Sequence, residues 1–276
     1  MNDARPQTPE APSPRFQRLP ELGGLSLAWR RIDAAAAGND RPGIVWLGGF
    51  KSDMLSAKAE RIAQWAHTNG RAFLRFDYSG HGESEGEFAQ GTIGQWSAQS
   101  LAMIRKLTKG PQILVGSSMG GWISLLVARE LAARNEAERL AGLVLIAPAV
   151  DFTEELMWHQ LPEAARQEIE TKGFWMRPTQ YAPEPYPVTR ALIEDGRKHL
   201  LLGGAIPVTC PVRILQGMKD PDVPWEHAVR LAEHLDGNPV LTLVKQGDHR
   251  LSTPGNLALL RETVLRLAER SEGVSV

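Results

Sequence analysis

Along this chain, apolar residues come in short unbroken runs, separated by longer stretches in which they recur every three or four positions. "GIVWLGG" (43–49) is followed by "SDMLSAKAERIAQWAHTNG" (52–70), and that by "RAFLRFD" (71–77). A short run bounded by turn residues reads as a buried strand and a stretch of period 3.6 as an amphipathic helix. The alternation therefore predicts βαβ units and a mostly parallel central sheet with helices on both faces. It continues through a helix near 92–107, a strand "QILVG" (112–116), a helix from Met119 to about Ala133 and a strand "GLVLIAPAV" (142–150). After an interruption it resumes with "VRILQG" (212–217), a helix from about Pro224 to Leu235, "PVLTLVKQG" (239–247) and a helix from about Pro254 to Glu269. Upstream, "LGGLSLAWRRI" (22–32) alternates apolar and polar residues like a half-exposed strand, expected to pair antiparallel at one sheet edge. Ser52 or Asp53 is the expected N-cap of the first helix and Gly70 its stop.

The interruption covers residues 151 to about 205. It carries Phe152, Trp158, Phe174, Trp175, Tyr181 and Tyr186 and the proline cluster "RPTQYAPEPYPV", with no clear buried strand. It is expected to be a small cap inserted into one α/β domain that spans 19–276. Residues 1–18, rich in proline and polar groups, are expected to form a flexible tail.

Composition narrows the field. The chain has 276 residues, 42% of them hydrophobic, enough for one large core. With 31 Lys plus Arg against 32 Asp plus Glu, the net charge of -1 gives no basic excess to suggest nucleic acid or anionic lipid. Apolar runs are too short to span a bilayer. Cys210 is the single cysteine, so no internal disulfide can form. With no hydrophobic signal-peptide centre and with acidic residues near the start, the expected location is the cytoplasm.

The chemistry centres on "VGSSMGGW" (115–122). Gly116 to Gly120 fits G-x-S-x-G between a strand and a helix, with Ser118 at the strained centre of the turn and glycines where a side chain would strike backbone. Ser117 falls one position early and is expected to hydrogen-bond local backbone. A serine nucleophile requires a base and an orienting carboxylate. Asp220, after "VRILQG", and His249, after the next strand, stand in the order Ser, Asp, His at the carboxyl ends of strands. Asp222 is the rival to Asp220, and Asp248 is read as a turn residue. Two N–H donors for an oxyanion are expected from Met119 and, in the glycine-rich loop "WLGGFKSD", from Phe50. His81, in "SGHGES", is read as a structural turn residue, and Arg75 and Asp77 as forming a local ion pair or hydrogen bonds that hold that loop. No histidine pair has metal spacing, so no metal or cofactor is expected. Of the cap aromatics, Trp158, Phe174 and Trp175 are expected to line an acyl pocket, though a plain core role stays open.

"FDYSGHGES", "GSSMGG", "GMKDPDVP" and "GDHRLS" together resemble the α/β-hydrolase superfamily over nearly the whole chain from Pro42. More narrowly, "GPQILVGSSMGGW", "LLGGAIPVTCPVRILQGMKDPDVPW" and "GDHR" are similar to the mitochondrial palmitoyl-protein thioesterase and acyl-glucuronide esterase family. The resemblance implies an α/β-hydrolase fold and a serine esterase or thioesterase with Ser118, Asp220 and His249 as its triad. Its substrate would be a small molecule or an acylated protein. A general carboxylesterase of small oxygen esters and a serine peptidase remain alternatives. One departure is Gly48, where many superfamily members have histidine before the oxyanion-loop glycine.

Overall fold

A computed structural model describes residues 13–35, 41–179 and 183–271. Its main feature is an eight-stranded sheet in the order β1-β2-β4-β3-β5-β6-β9-β10. The strands are β1 (Arg15–Arg18), β2 (Ser26–Ile32), β3 (Gly43–Leu47), β4 (Phe73–Phe76), β5 (Gln112–Ser117), β6 (Leu140–Ile146), β9 (Val212–Gly217) and β10 (Val240–Val244). From β4 to β10 the strands run parallel, and β2 and β1 add antiparallel at one side.

The outermost strand differs from the sequence expectation. Arg15–Arg18 lies inside the segment read as a tail, yet it pairs with Ser26–Trp29, so β2 is second from the edge rather than the edge. Its residues are largely exposed, and ladder hydrogen bonds rather than apolar burial hold it, so the hydrophobic pattern could not reveal it. Arg15 and Arg31 also set their guanidinium groups 5.4 and 5.7 Å from the Trp29 ring. Residues 1–12 of the expected tail lie outside the described residues, as does Tyr181.

The sheet separates two apolar layers because successive strand residues point to opposite faces. Ile44, Trp46, Ile113, Val115, Val144 and Ile146 pack with α1 (Ala57–Thr68) and α7 (Pro254–Ser271). Val45, Leu47, Leu114, Leu143 and Leu145 face α2 (Ile93–Leu107), α3 (Met119–Ala133) and α6 (Trp225–His234). Both layers are fully buried, which is why these strands read as continuous apolar runs.

The first helix starts later than expected. Its N-cap is Ser56, whose hydroxyl accepts the Ala59 N–H, while Asp53 instead accepts the Leu55 N–H in the preceding turn. Gly70 does follow the end of the helix, with φ at +62°, where glycine is favoured.

Residues 151–205 leave the main sheet. They fold into α4 (Glu163–Lys172), a hairpin of β7 (Phe174–Arg177) and β8 (Tyr186–Thr189), and α5 (Arg190–Gly196). The buried Asp151 carboxylate closes the base of this segment by accepting the N–H groups of Leu201 and Leu202 at 2.9 and 2.8 Å. The two-stranded sheet was not legible because both strands are short and half-exposed and β8 contains Pro187.

Candidate active site

Three loops at the carboxyl ends of β5, β9 and β10 bring Ser118, Asp220 and His249 together. Ser118 sits between β5 and α3 with φ 55° and ψ -118°, a region that costs a non-glycine residue about 1–3 kcal/mol. Hydrogen bonds on both sides over-determine it: its N–H donates to Ile146 O at 2.8 Å, and its carbonyl accepts from Gly121 and Ala149 at 2.9 and 3.1 Å. The flanking glycines are sterically required. A Cβ on Gly116 would lie 2.2 Å from Gly120 O, and one on Gly120 would lie 2.1 Å from Leu47 O. Ser117 is buried, and among the described residues its hydroxyl makes no hydrogen bond, contrary to the expected backbone contact.

His249 bridges the other two residues. Its Nδ1 lies 2.8 Å from Asp220 Oδ2 and its Nε2 lies 3.1 Å from Ser118 Oγ. With the proton on Nδ1, the ring donates to the carboxylate and accepts from the hydroxyl. Asp220 is held on every side. Oδ1 accepts the N–H groups of Asp222 and Val223, both at 2.9 Å, and Oδ2 accepts from Gln216 Nε2 at 3.1 Å. Asp222 is thus part of the turn that cradles Asp220. The three ligand-type atoms of Asp220, Asp222 and His249 lie within 4.8 Å of one another. A metal there would compete with the bonds His249 already makes to Asp220 and Ser118. Asp248 behaves as the turn residue it was read as, accepting the Leu251 N–H at 2.9 Å.

The loop after β3 lies against this turn. A Cβ on Gly49 would lie 3.4 Å from both Ser118 Cβ and Ser117 O, so the chain just before Phe50 touches the elbow. Among the described residues, neither the Phe50 nor the Met119 N–H donates to a protein acceptor. The Phe50 ring is central to an aromatic cluster with Phe88 at 4.8 Å, Phe152 at 5.4 Å, Tyr186 at 5.5 Å and Trp96 at 6.0 Å.

None of the three expected lining residues has a ring in that cluster. Phe174 is turned to solvent, 44% exposed, on the outer side of β7. Trp158 lies under the Arg197 guanidinium at 4.9 Å, and Trp175 packs against the main core. Strand alternation and the ion pair of Arg197 with Glu154 decide these positions, and neither was visible from composition. Of the two forms expected for Arg75 and Asp77, the ion pair between them is not the one found: Arg75 donates to Glu60 at 2.6 Å and to Met54 O at 3.2 Å, while Asp77 Oδ2 holds the loop by accepting the Glu83 N–H at 3.0 Å.

Two supporting residues went unrecognised. Gln216 is fully buried, and its amide donates to Asp220, Gly217 O and Val223 O. A polar residue at the end of the buried run "VRILQG" was the available signal. Lys58 is buried on α1, and its ammonium donates to the carbonyl of Arg250, next to His249. Burial lowers its pKa to about 8, opposed by the attraction of Asp248. Its place four residues before Ile62, on the apolar face of α1, marked it as unusual. A groove of about 920 Å³ lies along α2 and α3 and includes none of Ser118, Asp220 and His249.

Residues 44–221 match the family described as serine aminopeptidase, S33. The mouse (Mus musculus) protein named palmitoyl-protein thioesterase ABHD10, mitochondrial, is 38% identical over 247 residues, covering 89% of this chain and 80% of that protein. A solved structure from Agrobacterium vitis S4 superposes with a TM-score of 0.88 at 42% identity, covering 94% of this chain and all of that one. Mouse alpha/beta hydrolase domain-containing protein 10 gives a TM-score of 0.81 at 36% identity, covering 94% and 99%. The expected cytoplasmic location is withdrawn, because the relatives at this level of identity are named as mitochondrial proteins. No helix among the described residues is long and apolar enough to cross a membrane. The chain is a hydrolase and belongs to the α/β-hydrolase family, in the group that includes the palmitoyl-protein thioesterase ABHD10 of mammals.

Proposed function

We propose that the chain is a serine hydrolase that cleaves acyl thioesters or esters through an acyl-enzyme on Ser118. The observation that carries this reading is the continuous relay from Ser118 Oγ through His249 to Asp220, with both hydrogen bonds at 3.1 Å or less. His249 Nε2 removes the Ser118 proton as Oγ attacks the acyl carbonyl carbon, and Asp220 stabilises the imidazolium that forms. The oxyanion is held by the N–H groups of Phe50 and Met119, at the positive end of α3. Collapse of the tetrahedral species expels the thiolate or alkoxide, which takes the proton from His249. Water, deprotonated by the same base, then releases the carboxylic acid.

An acylated protein or an acyl glucuronide is the proposed substrate. The names of the relatives support the first, and the aromatic cluster around Phe50 gives an acyl chain apolar surface. Labelling with a fluorophosphonate probe tests the nucleophile: wild type and Ser117→Ala are labelled one to one, and Ser118→Ala is not. Equal labelling of Ser118→Ala would sink the assignment. Hydrolysis of acyl thioesters and oxygen esters of increasing length then tests the substrate class. Activity confined to short oxygen esters would give a carboxylesterase, and activity confined to peptide amides a peptidase.

A further inference from the structure

The loop after β4 grips the loop after β3 with three hydrogen bonds spaced along its length. Asp77 Oδ1 accepts the Met54 N–H at 2.7 Å, Tyr78 Oη donates to Gly48 O at 3.2 Å, and His81 Nε2 accepts the Lys51 N–H at 3.1 Å. Gly48 and Lys51 bracket Phe50. Lys51 has φ 58°, a left-handed conformation that a non-glycine residue adopts only when held there. The bond from His81 to the Lys51 N–H is the restraint nearest to that strain and to the Phe50 amide.

We propose that His81 is a positioning residue for the oxyanion loop: as a neutral acceptor it fixes the peptide plane of Lys51 and so aims the neighbouring Phe50 N–H at the reacting carbonyl. The inference rests on the reading of Phe50 as an oxyanion donor. Everything around the ring suits this task. His81 is 4% exposed and lies edge-on to Tyr78, Phe88 and Trp96 at 5.5, 5.2 and 5.0 Å. Its Nδ1 lies 3.2 Å from Ser79 O, which fixes the tautomer with the proton on Nδ1 and leaves the Nε2 lone pair for Lys51. Burial pushes its pKa down to about 4, and the Lys51 charge acts in the same direction, so the ring is neutral wherever the enzyme would be assayed. Ser79 is fixed in turn, because Gln99 accepts its N–H at 3.0 Å and Trp96 donates to its carbonyl at 3.1 Å. The histidine is thus built into a rigid polar network inside an aromatic shell, and that network ends on the loop that carries Phe50.

Three variants separate positioning from packing. His81→Phe keeps a ring and loses the acceptor. His81→Gln can place a carbonyl oxygen near the Nε2 position, whereas His81→Asn reaches only as far as Nδ1. Kinetics on a p-nitrophenyl ester are read beside inhibition by an alkyl boronic acid, whose serine adduct mimics the tetrahedral species, and by the product carboxylic acid. Loss of one oxyanion donor costs roughly 100- to 1000-fold, so a misaimed donor in His81→Phe is expected to lower kcat about 10- to 100-fold. KM and product binding should stay within about twofold, while boronate affinity weakens in step with kcat. His81→Gln should recover most of the loss, and His81→Asn should not. The inference is overturned if His81→Phe keeps wild-type kcat, if KM and product binding suffer as much as kcat, or if Gln and Asn are equally impaired. The last comparison stands even where His81→Phe fails to fold. A failure of the Ser118 mechanism on which the Phe50 reading depends shows separately, as fluorophosphonate labelling of Ser118→Ala.

Discussion

Replacing Asp220 by Asn puts the relay to its sharpest test, because every atom of the carboxylate is accounted for. Oδ1 accepts two turn N–H groups, from Asp222 and Val223. The amide oxygen of Asn must stay there, which puts the NH2 group at the Oδ2 position, facing the N–H donors of His249 and Gln216. Three donors then meet without an acceptor. His249 relieves the conflict by moving its proton to Nε2, and a ring in that tautomer cannot take a proton from Ser118. A wrong-tautomer base costs on the order of 10⁴ in kcat, about 5.5 kcal/mol. The escape route is to flip the Asn amide, which restores an acceptor for His249 but orphans the two turn N–H groups at roughly 1–3 kcal/mol each. That alternative sets a floor of about 2 kcal/mol, or roughly 30-fold. The assay is ester hydrolysis at saturating substrate across pH 6 to 9, with a thermal melt to establish that the variant is folded. Asp222→Asn is the control, expected to keep kcat within about threefold, since its backbone N–H rather than its side chain supports the acid. A loss of less than tenfold in Asp220→Asn, or a larger loss in Asp222→Asn, would refute the assignment of the acid.

Four further outcomes are expected. Gly120→Ala drives a Cβ to 2.1 Å from Leu47 O, and the destabilisation should exceed about 3 kcal/mol, read as a large drop in melting temperature or as insoluble protein. Lys58→Met removes the tether on the loop of His249 and should lower kcat about three- to tenfold without a rise in KM. Because the folded pKa of Lys58 is about 8 against 10.5 for the free side chain, the native state releases this proton first. Wild type should therefore gain stability relative to Lys58→Met as pH rises from 8 to 10.5, measured by urea unfolding. His81 runs in the acid direction: with a folded pKa of about 4 against 6.5, the unfolded chain binds the proton first. The stability of wild type should fall relative to His81→Phe between pH 6.5 and 4, by up to about 3 kcal/mol, and a flat difference across that window would contradict the burial of the ring.

The architecture was legible where sequence period and burial coincide. Runs such as Ile44–Leu47 and Leu143–Ile146 are covered on both faces and announce themselves as parallel strands. β1 could not be read, since Arg15–Arg18 owes its place to backbone pairing that leaves no hydrophobic trace. The line-up of Ser118, Asp220 and His249 was readable because each follows an apolar strand run, and the parallel order of the sheet does the rest. Their supports were harder to see. Lys58 and His81 bond to backbone 192 and 30 positions away and Gln216 to near neighbours in the Asp220 turn, and each showed only as a polar residue at a position that ought to be apolar or plain. Orientation within the cap was hidden for a related reason: aromatic content marks a region, but strand alternation decides that Phe174 is exposed while Trp175 is half-buried.

The separation between Ser118 and His249 has a bearing on how the protein is made. The two residues are 131 positions apart, and the base hangs from β10, the last strand to be synthesised and an edge of the sheet. A ribosome that has completed the elbow must still deliver nearly half of the polypeptide before a general base exists beside it. On the proposed mechanism, hydrolysis requires β9 and β10 to dock, so a chain whose translation stalls before His249 would lack the base, and the cell would be spared an unfinished acyl hydrolase.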